Sequence, residues 1–315
     1  MTTANIRAGI DLFSLSVAPT PEEQEKAKRT HKQIRAHLES DEKLNKYFVN
    51  TKLQGSYRHS TNVRNDSDVD MNCRTEMIYR PALDWLKSKP ASPGLQSEVQ
   101  RYNANHSPAS FTFLQYRADV LASLIRKYGT SVKNGNKAIK VEGSSTRLDA
   151  DVLPCIEHRR YRYYNSSTDN DYYRGIAFQS KEGGSWIINY PDKNYENLTD
   201  KNVTTNGKLK DTIRIVKRIR NLMANAGGWS IDRSPSFYVE CLIWNAPTRL
   251  FSGTHADIVF HVLTYLYSDL MEKKHTEALK SYKQTNNIFF LFHNDFWNVD
   301  DAIEFIEKIW NFIFE

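Results

Sequence analysis

The sequence predicts an α+β fold in two parts: a core of mixed sheet and helices over residues 1–206, opened by a helix, and an all-helical lobe over 207–315. Two observations carry this expectation. Strand-length apolar runs at 69–74, 138–141 and 150–156, with a hairpin pattern at 173–190, are confined to the first part. From Lys208 onward the period becomes helical, with Ile213, Val216, Ile219, Leu222, Met223 and Ala226 at spacings of three or four.

Taken in order, Thr20-Pro21-Glu22-Glu23 reads as a helix start, with Thr as N-cap, Pro at the first helical position and Glu at the third. That helix is expected to run to about Leu38. Residues 52–56 lead through a first strand into a Gly-Ser turn, and 69–74 form the next strand. Residues 110–128 are amphipathic, with Phe113, Leu114, Val120, Leu121, Leu124 and Ile125 on the apolar side. Strands follow at 138–141 and 150–156, then two more at 173–178 and 185–190 around Lys181-Glu182-Gly183-Gly184. The stretch 191–207, rich in Asn, Asp, Lys and Thr, is expected to connect the two parts. The helix beginning at Lys208 should stop at Gly227-Gly228, and further helices are expected at 236–245, 255–272 and 300–314.

Composition narrows the class. With 40% apolar and 12% aromatic residues the 315-residue chain can build a real core, which excludes global disorder. Lys and Arg outnumber Asp and Glu by 43 to 37, giving +6 and a pI near 9.0. That modest excess suits polyanionic substrates such as nucleoside triphosphates without requiring DNA or RNA. Cys73, Cys155 and Cys241 are far apart and lack metal-ligand spacing, so zinc is not expected and a reducing compartment is. With neither a secretory leader nor an apolar run of bilayer length, the chain reads as cytoplasmic, with no membrane partner.

The chemistry is concentrated in Leu53-Gln54-Gly55-Ser56-Tyr57-Arg58-His59-Ser60-Thr61, followed by Asp66-Ser67-Asp68-Val69-Asp70. Gly55 and Ser56 form a turn suited to a phosphate, because glycine lets backbone N–H groups approach closely. In a strand Asp68 and Asp70 would leave the same face, with Asp66 preceding them. Carboxylates that close repel each other unless a cation lies between them, and hard divalent ions prefer carboxylate oxygens. A third acid in the apolar run Leu148-Asp149-Ala150-Asp151-Val152-Leu153 completes ligands for two metals, the arrangement used for in-line displacement at phosphorus. Spacing alone does not choose between Asp151 and Asp149. The bland reading of Asp-Ser-Asp-Val-Asp is a solvated turn, and an EF-hand-like calcium loop is not expected, because Asn72 to Glu76 do not continue its pattern.

With these stretches in order, the chain resembles the CD-NTase family, bacterial relatives of cyclic GMP-AMP synthase and oligoadenylate synthetase that make cyclic oligonucleotide signals in anti-phage defence (CBASS). The resemblance spans nearly the whole length. It is strongest to the clade called CdnE, whose members make pyrimidine-containing cyclic dinucleotides. The matching stretches are Gln54-Gly55-Ser56-Tyr57 with Ser60-Thr61-Asn62, Asp66-Ser67-Asp68-Val69-Asp70, Ala150-Asp151-Val152, Asn189-Tyr190-Pro191, Thr212-Ile213-Arg214 with Lys217, and Pro235-Ser236 with Glu240-Cys241.

The resemblance implies a polymerase-β-like core, a helical second lobe and an active site in the cleft between them. It implies that Asp68, Asp70 and Asp151 hold Mg²⁺ or Mn²⁺, with Asp149 as the alternative third acid, and that Gly55 and Ser56 contact the donor triphosphate. Lys217, placed on the exposed side of its helix, and Ser236 are implied as further triphosphate contacts. Their plain readings are a solvated charge and a helix N-cap. Asn189 is implied to read a uracil edge, since its amide can donate to a carbonyl and accept from an imide N–H. Tyr190 would be a stacking platform or a core residue. The DNA-gripping zinc insertion of cyclic GMP-AMP synthase has no counterpart in the cysteine pattern, so DNA activation is not expected.

The implied activity is metal-dependent synthesis of cyclic di-UMP or cyclic UMP-AMP from UTP and ATP, read by a downstream cyclic-nucleotide-activated effector. Two rivals stand beside it. One is an enzyme of the same fold making linear oligonucleotides or modifying RNA or protein. The other is a non-catalytic nucleic-acid binder.

Overall fold

The computed structural model describes residues 6–63, 68–89, 96–292 and 297–315. In chain order the helices and strands begin with α1 (Leu12–Ser16), α2 (Pro21–Ser40), β1 (Val49–Leu53), α3 (Gly55–His59) and β2 (Val69–Ala82). Next come α4 (Asp84–Lys87), α5 (Glu98–Ala104), α6 (Phe113–Tyr128), β3 (Val132–Asn134), β4 (Ile139–Val141) and β5 (Ala150–Tyr164). After the hairpin β6 (Asn170–Ser180) and β7 (Gly183–Asn189) come the helices α7 (Pro191–Thr204), α8 (Lys208–Asn225), α9 (Ser236–Trp244), α10 (His255–Lys273) and α11 (Val299–Phe314).

Local chemistry explains several of the helix starts. Thr20 Oγ1 accepts from the Glu23 N–H at 3.3 Å while Glu23 accepts from the Thr20 N–H at 2.9 Å, the reciprocal cap that starts α2. Ala27, Thr30, Ile34 and Leu38 then form its buried stripe. Thr112 with Gln115 and Thr254 with Asp257 cap α6 and α10 in the same way.

The expectation for 191–207 is corrected, because 191–204 is helix α7. Pro191 and Asp192 are good first-turn residues, and the wholly buried Leu198 fastens the helix to the helical core. The polar, Asn- and Thr-rich composition concealed that single apolar anchor.

The seven strands form one sheet in the order β1-β2-β5-β4-β3, with β6 on β5 and β7 on β6. Strands β2 and β5 are parallel, and every other pairing is antiparallel. β5 changes partner along its length: its first residues pair with β4, and from Ile156 it pairs with β6. Both central strands outrun their sequence expectations, to Ala82 and Tyr164. The two strands keep pairing with each other past a register shift between Thr75 and Tyr79, which carries them beyond their first apolar runs.

The chain forms two compact units that do not follow chain order. One comprises Gln24–Gln54 and Asp68–Pro191 and contains the sheet with α4–α6. The other comprises Met1–Glu23, Gly55–Ser67 and Asp192–Glu315 and is helical. In the sheet unit Val69, Met71, Cys73, Val152 and Cys155 are wholly buried, and the Tyr116 hydroxyl of α6 donates to the Cys73 carbonyl at 2.8 Å. In the helical unit a single core joins Ile213, Val216 and Ile219 of α8 to Val239 and Leu242 of α9, Val262 of α10 and Ile309 of α11. All three cysteines are buried free thiols.

Candidate active site

The acids expected to carry the chemistry lie in the sheet unit. In β2 the side chains of Val69, Met71 and Cys73 point into the core, so Asp70 points to the opposite face. Asp70 is in direct register with Asp151 of β5, just as Val69 pairs with Ala150 and Met71 with Val152. Residues in register on parallel neighbours face the same side about 4.8 Å apart. The structure therefore sets these two carboxylates side by side across 81 residues of chain.

Asp68 immediately precedes β2 rather than lying within it, so its placement differs from the i, i+2 strand expectation. Its carboxylate accepts from the Lys140 ammonium at 3.1 Å. Lys140 also lies 2.8 Å from Asp149, and on β4 it pairs in register with Asp151. The other Asp149 oxygen accepts from the Gly143 N–H at 2.6 Å. Asp66 lies outside the described residues.

This geometry separates the two acids that spacing left equivalent. Asp149 is engaged by Lys140 and Gly143, and those bonds hold its carboxyl below the ordinary carboxylate range. The Asp151 carboxyl is instead pushed up, first by burial and then by the negative charge of Asp68. Lys140, bonded to Asp149 with Asp68 beside it, is held above the ordinary lysine range.

An all-oxygen, partly buried set of carboxylates, one of them raised by burial and by a neighbouring negative charge, is the donor chemistry a hard divalent cation takes, so these residues fit such an ion. As the side chains stand, no group of three His, Cys, Asp or Glu among the described residues converges to hold one. Lys140 occupies two of the carboxylates, Asp68 and Asp149.

The expected phosphate-holding residues lie in the helical unit. Gly55 begins the short helix α3 with φ of +65°, a left-handed backbone that favours glycine. The Ser56 carbonyl accepts from the Thr61 N–H at 3.0 Å, closing that segment. Gln54, just before Gly55, donates its N–H to the Asp70 carbonyl at 2.9 Å.

Lys217 is not on an exposed side of α8. Its side chain is 1% exposed, 2.6 Å from Glu240 of α9, and also donates to the Thr61 carbonyl at 3.2 Å. Glu240 additionally meets His59 Nδ1 at 2.7 Å and the Thr61 hydroxyl at 2.5 Å. Burial alone would raise the Glu240 carboxyl, but the Lys217 and His59 interactions outweigh it and hold it far below the ordinary range.

The correction has a simple cause. Arg214, Lys217 and Arg220 recur at spacings of three and are all buried, each with specific partners. Arg214 donates to the Ser60 carbonyl and pairs with Asp211, and Arg220 donates to the Ser234 carbonyl. Ser236 accepts from the Arg220 guanidinium at 3.4 Å. It is the first residue of α9 rather than its N-cap, which is Pro235.

Asn189 ends β7, opposite Ile176, and its side-chain oxygen accepts from the Tyr190 N–H at 2.7 Å. Tyr190 is wholly buried, with its ring edge-on to His158 at 5.8 Å, so it is a core residue and not a stacking platform. Gly175 lies against both. A Cβ there would come within 2.6 Å of the Asn189 carbonyl and 2.8 Å of the Tyr190 ring.

Sequence reasoning missed Lys140, Gly143, His59 and Glu240 as parts of these clusters. Lys140 had a signal, being the polar residue of the alternating Ile139-Lys140-Val141 and hence on the face opposite the core. His59 and Glu240 lie in stretches the sequence singled out, but their pairing with each other and with Lys217 exists only in three dimensions.

Comparison with known proteins agrees with this architecture. Residues 5–94 match the "Second Messenger Oligonucleotide or Dinucleotide Synthetase domain" and residues 196–314 the "cGAS/DncV-like nucleotidyltransferase C-terminal helical domain". The chain is 33% identical to a cyclic dipyrimidine nucleotide synthase CdnE of Legionella pneumophila, with 92% of each chain covered. It is 32% identical to a cyclic dipurine nucleotide synthase of Elizabethkingia meningoseptica, covering 83% of this chain and 84% of that one. Among solved structures, the Rhodothermus marinus CdnE c-UMP-AMP synthase with Apcpp and Upnpp superposes with a TM-score of 0.78, at 29% identity and 95% coverage of both chains.

Proposed function

Because this chain belongs to the CD-NTases, a family of nucleotidyltransferase enzymes, and within them to the CdnE clade, we propose that it joins two nucleoside triphosphates into a cyclic dinucleotide, with UTP preferred. The products would be cyclic di-UMP or cyclic UMP-AMP. The observation that carries this reading is the in-register pair of Asp70 and Asp151. The two carboxylates share one sheet face, and Asp151 is pushed toward protonation by burial and then by the negative charge of Asp68, a penalty that a bound cation would relieve.

Nucleotidyltransferases of this family use divalent metals. In our reading Asp68, Asp70 and Asp151 hold Mg²⁺ or Mn²⁺, which would neutralise the triphosphate and acidify the attacking hydroxyl. The protein's own part is orientation. Strand register fixes Asp70 and Asp151 side by side, which would set where the 3′-hydroxyl of one nucleotide meets the α-phosphate of the other. The P–O bond to the leaving pyrophosphate breaks as the new one forms, and a second transfer closes the ring.

The α3 segment from Gly55 and Ser56 supplies N–H and hydroxyl donors to the triphosphate. Ser236 is a further candidate contact. Lys217, being buried, supports this segment through the Thr61 carbonyl. The active site as a whole serves the synthesis of a signal for a cyclic-nucleotide-activated effector in anti-phage defence.

The clade alone does not choose the base, since its members carry both dipyrimidine and dipurine names. Asn189 supports the uracil preference, because a carboxamide can pair with the adjacent carbonyl and imide N–H of uracil. The test is incubation with four labelled triphosphates, each omitted in turn, with Mg²⁺ or Mn²⁺, followed by phosphatase. The expected product is phosphatase-resistant, needs UTP and is lost in Asp70→Asn. Product from purines alone would overturn the base preference. A phosphatase-sensitive product would identify a linear synthetase.

A further inference from the structure

The acid cluster carries its own cation. Lys140 reaches Asp68 at 3.1 Å and Asp149 at 2.8 Å from the middle residue of β4, where register sets it beside Asp151. We propose that Lys140 competes with the divalent metal for Asp68 and so sets the metal concentration the enzyme needs. This rests on the reading that Asp68, Asp70 and Asp151 hold the metal.

The two partners of Lys140 are not equivalent. Asp149 is anchored: one oxygen accepts from the Gly143 N–H at 2.6 Å while the other faces the ammonium. The approach depends on residue 143 being glycine, since a Cβ there would lie 2.9 Å from both the Asp149 carboxylate and the Arg147 carbonyl. The same turn is closed by the Ser144 N–H donating to the Arg147 carbonyl at 2.8 Å. Asp149 is thus built into a tight turn and tethers the lysine head. Asp68 and Asp149 are about equally exposed, at 41% and 40%; what separates them is that Asp149 is held by its turn while Asp68 stands just outside its strand, so Asp68 is the partner positioned to exchange.

An ammonium and a divalent ion cannot both take the Oδ2 of Asp68 that Lys140 now holds. When Asp68 turns to a metal, Lys140 keeps Asp149 and stays next to the cluster, where its charge opposes a second cation. The gain for the enzyme is twofold. Mutually repelling carboxylates stay compensated, and the site fills only when metal, or metal carried by a triphosphate, outcompetes the lysine. Lys140 is therefore a positioning residue, acting through Asp68.

The test is direct binding of Mn²⁺ alone, read by the free-ion EPR signal, to the full chain and to Lys140→Met, Lys140→Arg and Asp70→Asn. Lys140→Met should bind Mn²⁺ about tenfold more tightly, which corresponds to about 1.4 kcal/mol. Its melting temperature in chelator should fall below that of the wild type and rise further on adding Mn²⁺. Lys140→Arg should keep the weaker, wild-type affinity. If Lys140→Met does not fold, Lys140→Gln takes its place.

Unchanged or weaker Mn²⁺ binding on removing the lysine charge overturns the proposal, including the case in which neither protein binds. Asp70→Asn separates the two readings. If it binds Mn²⁺ like the wild type, the metal is not at these acids and the underlying assignment fails. If it loses binding while Lys140→Met is unchanged, the competition alone is wrong.

Discussion

Lys217 and Glu240 form an ion pair of 2.6 Å in which neither side chain is more than 3% exposed. It joins α8 to α9, and through Thr61 and His59 it reaches the segment that follows Gly55 and Ser56. Two charges taken out of water are tolerable only while each satisfies the other. Glu240→Ala should therefore destabilise the protein by about 3–5 kcal/mol by stranding the lysine. The double change Lys217→Met with Glu240→Leu should cost much less. Urea unfolding of the two variants beside the wild type checks this, and equal losses in the single and the double variant would show that the pair is not the source.

The acids make a sharper prediction because two of them were indistinguishable in sequence. Asp151→Asn and Asp70→Asn should each lower product formation by about 10²-fold or more, with the fold intact, as expected when a transition-state interaction is removed. Asp149→Asn should leave most of the activity, because that carboxylate is committed to Gly143 and Lys140. Initial rates with matched thermal melts decide it. Equal loss from Asp149→Asn would make Asp149 the third ligand.

Base selection should depend on how Asn189 is held. Asn189→Ala should erode the preference for UTP over other triphosphates by about tenfold, the equivalent of one lost hydrogen bond of about 1–2 kcal/mol. Gly175→Ala should do the same indirectly, since its methyl group would collide with the Asn189 carbonyl at 2.6 Å. Competition assays with paired triphosphates read both. An unchanged preference in Asn189→Ala would remove this residue from base recognition.

Stability should fall on mild acidification in part through His158. Burial in β5 depresses its imidazole to about 4, against about 6.5 in an unfolded chain. A depressed folded-state pKa leaves stability whole above pH ~6.5. Below that the unfolded chain takes up a proton that the fold refuses, and the loss continues as pH falls to about 4. Melting temperatures of the wild type and His158→Gln between pH 7 and 4.5 should converge as pH drops. Parallel curves would assign the acid sensitivity elsewhere.

The sequence alone determined what is local. The Thr20-Pro21-Glu22-Glu23 cap, the α8 apolar period, the hairpin at Gly183-Gly184 and the order of the acids were all legible, because caps, periods and turns depend on residues a few positions apart. Helix α7 was an exception, its polar composition outweighing Pro191 and the buried Leu198.

Only the tertiary structure decided which acid faces which. Strand register pairs Asp70 with Asp151, places Lys140 beside them and leaves Asp149 to the Gly143 turn. Packing likewise turned the Arg214–Lys217–Arg220 row inward, where a helical wheel marks it only as charged. Register and burial are set by partners from distant parts of the chain, and a charged residue carries no local mark of whether its counter-charge is water, a metal or a buried glutamate.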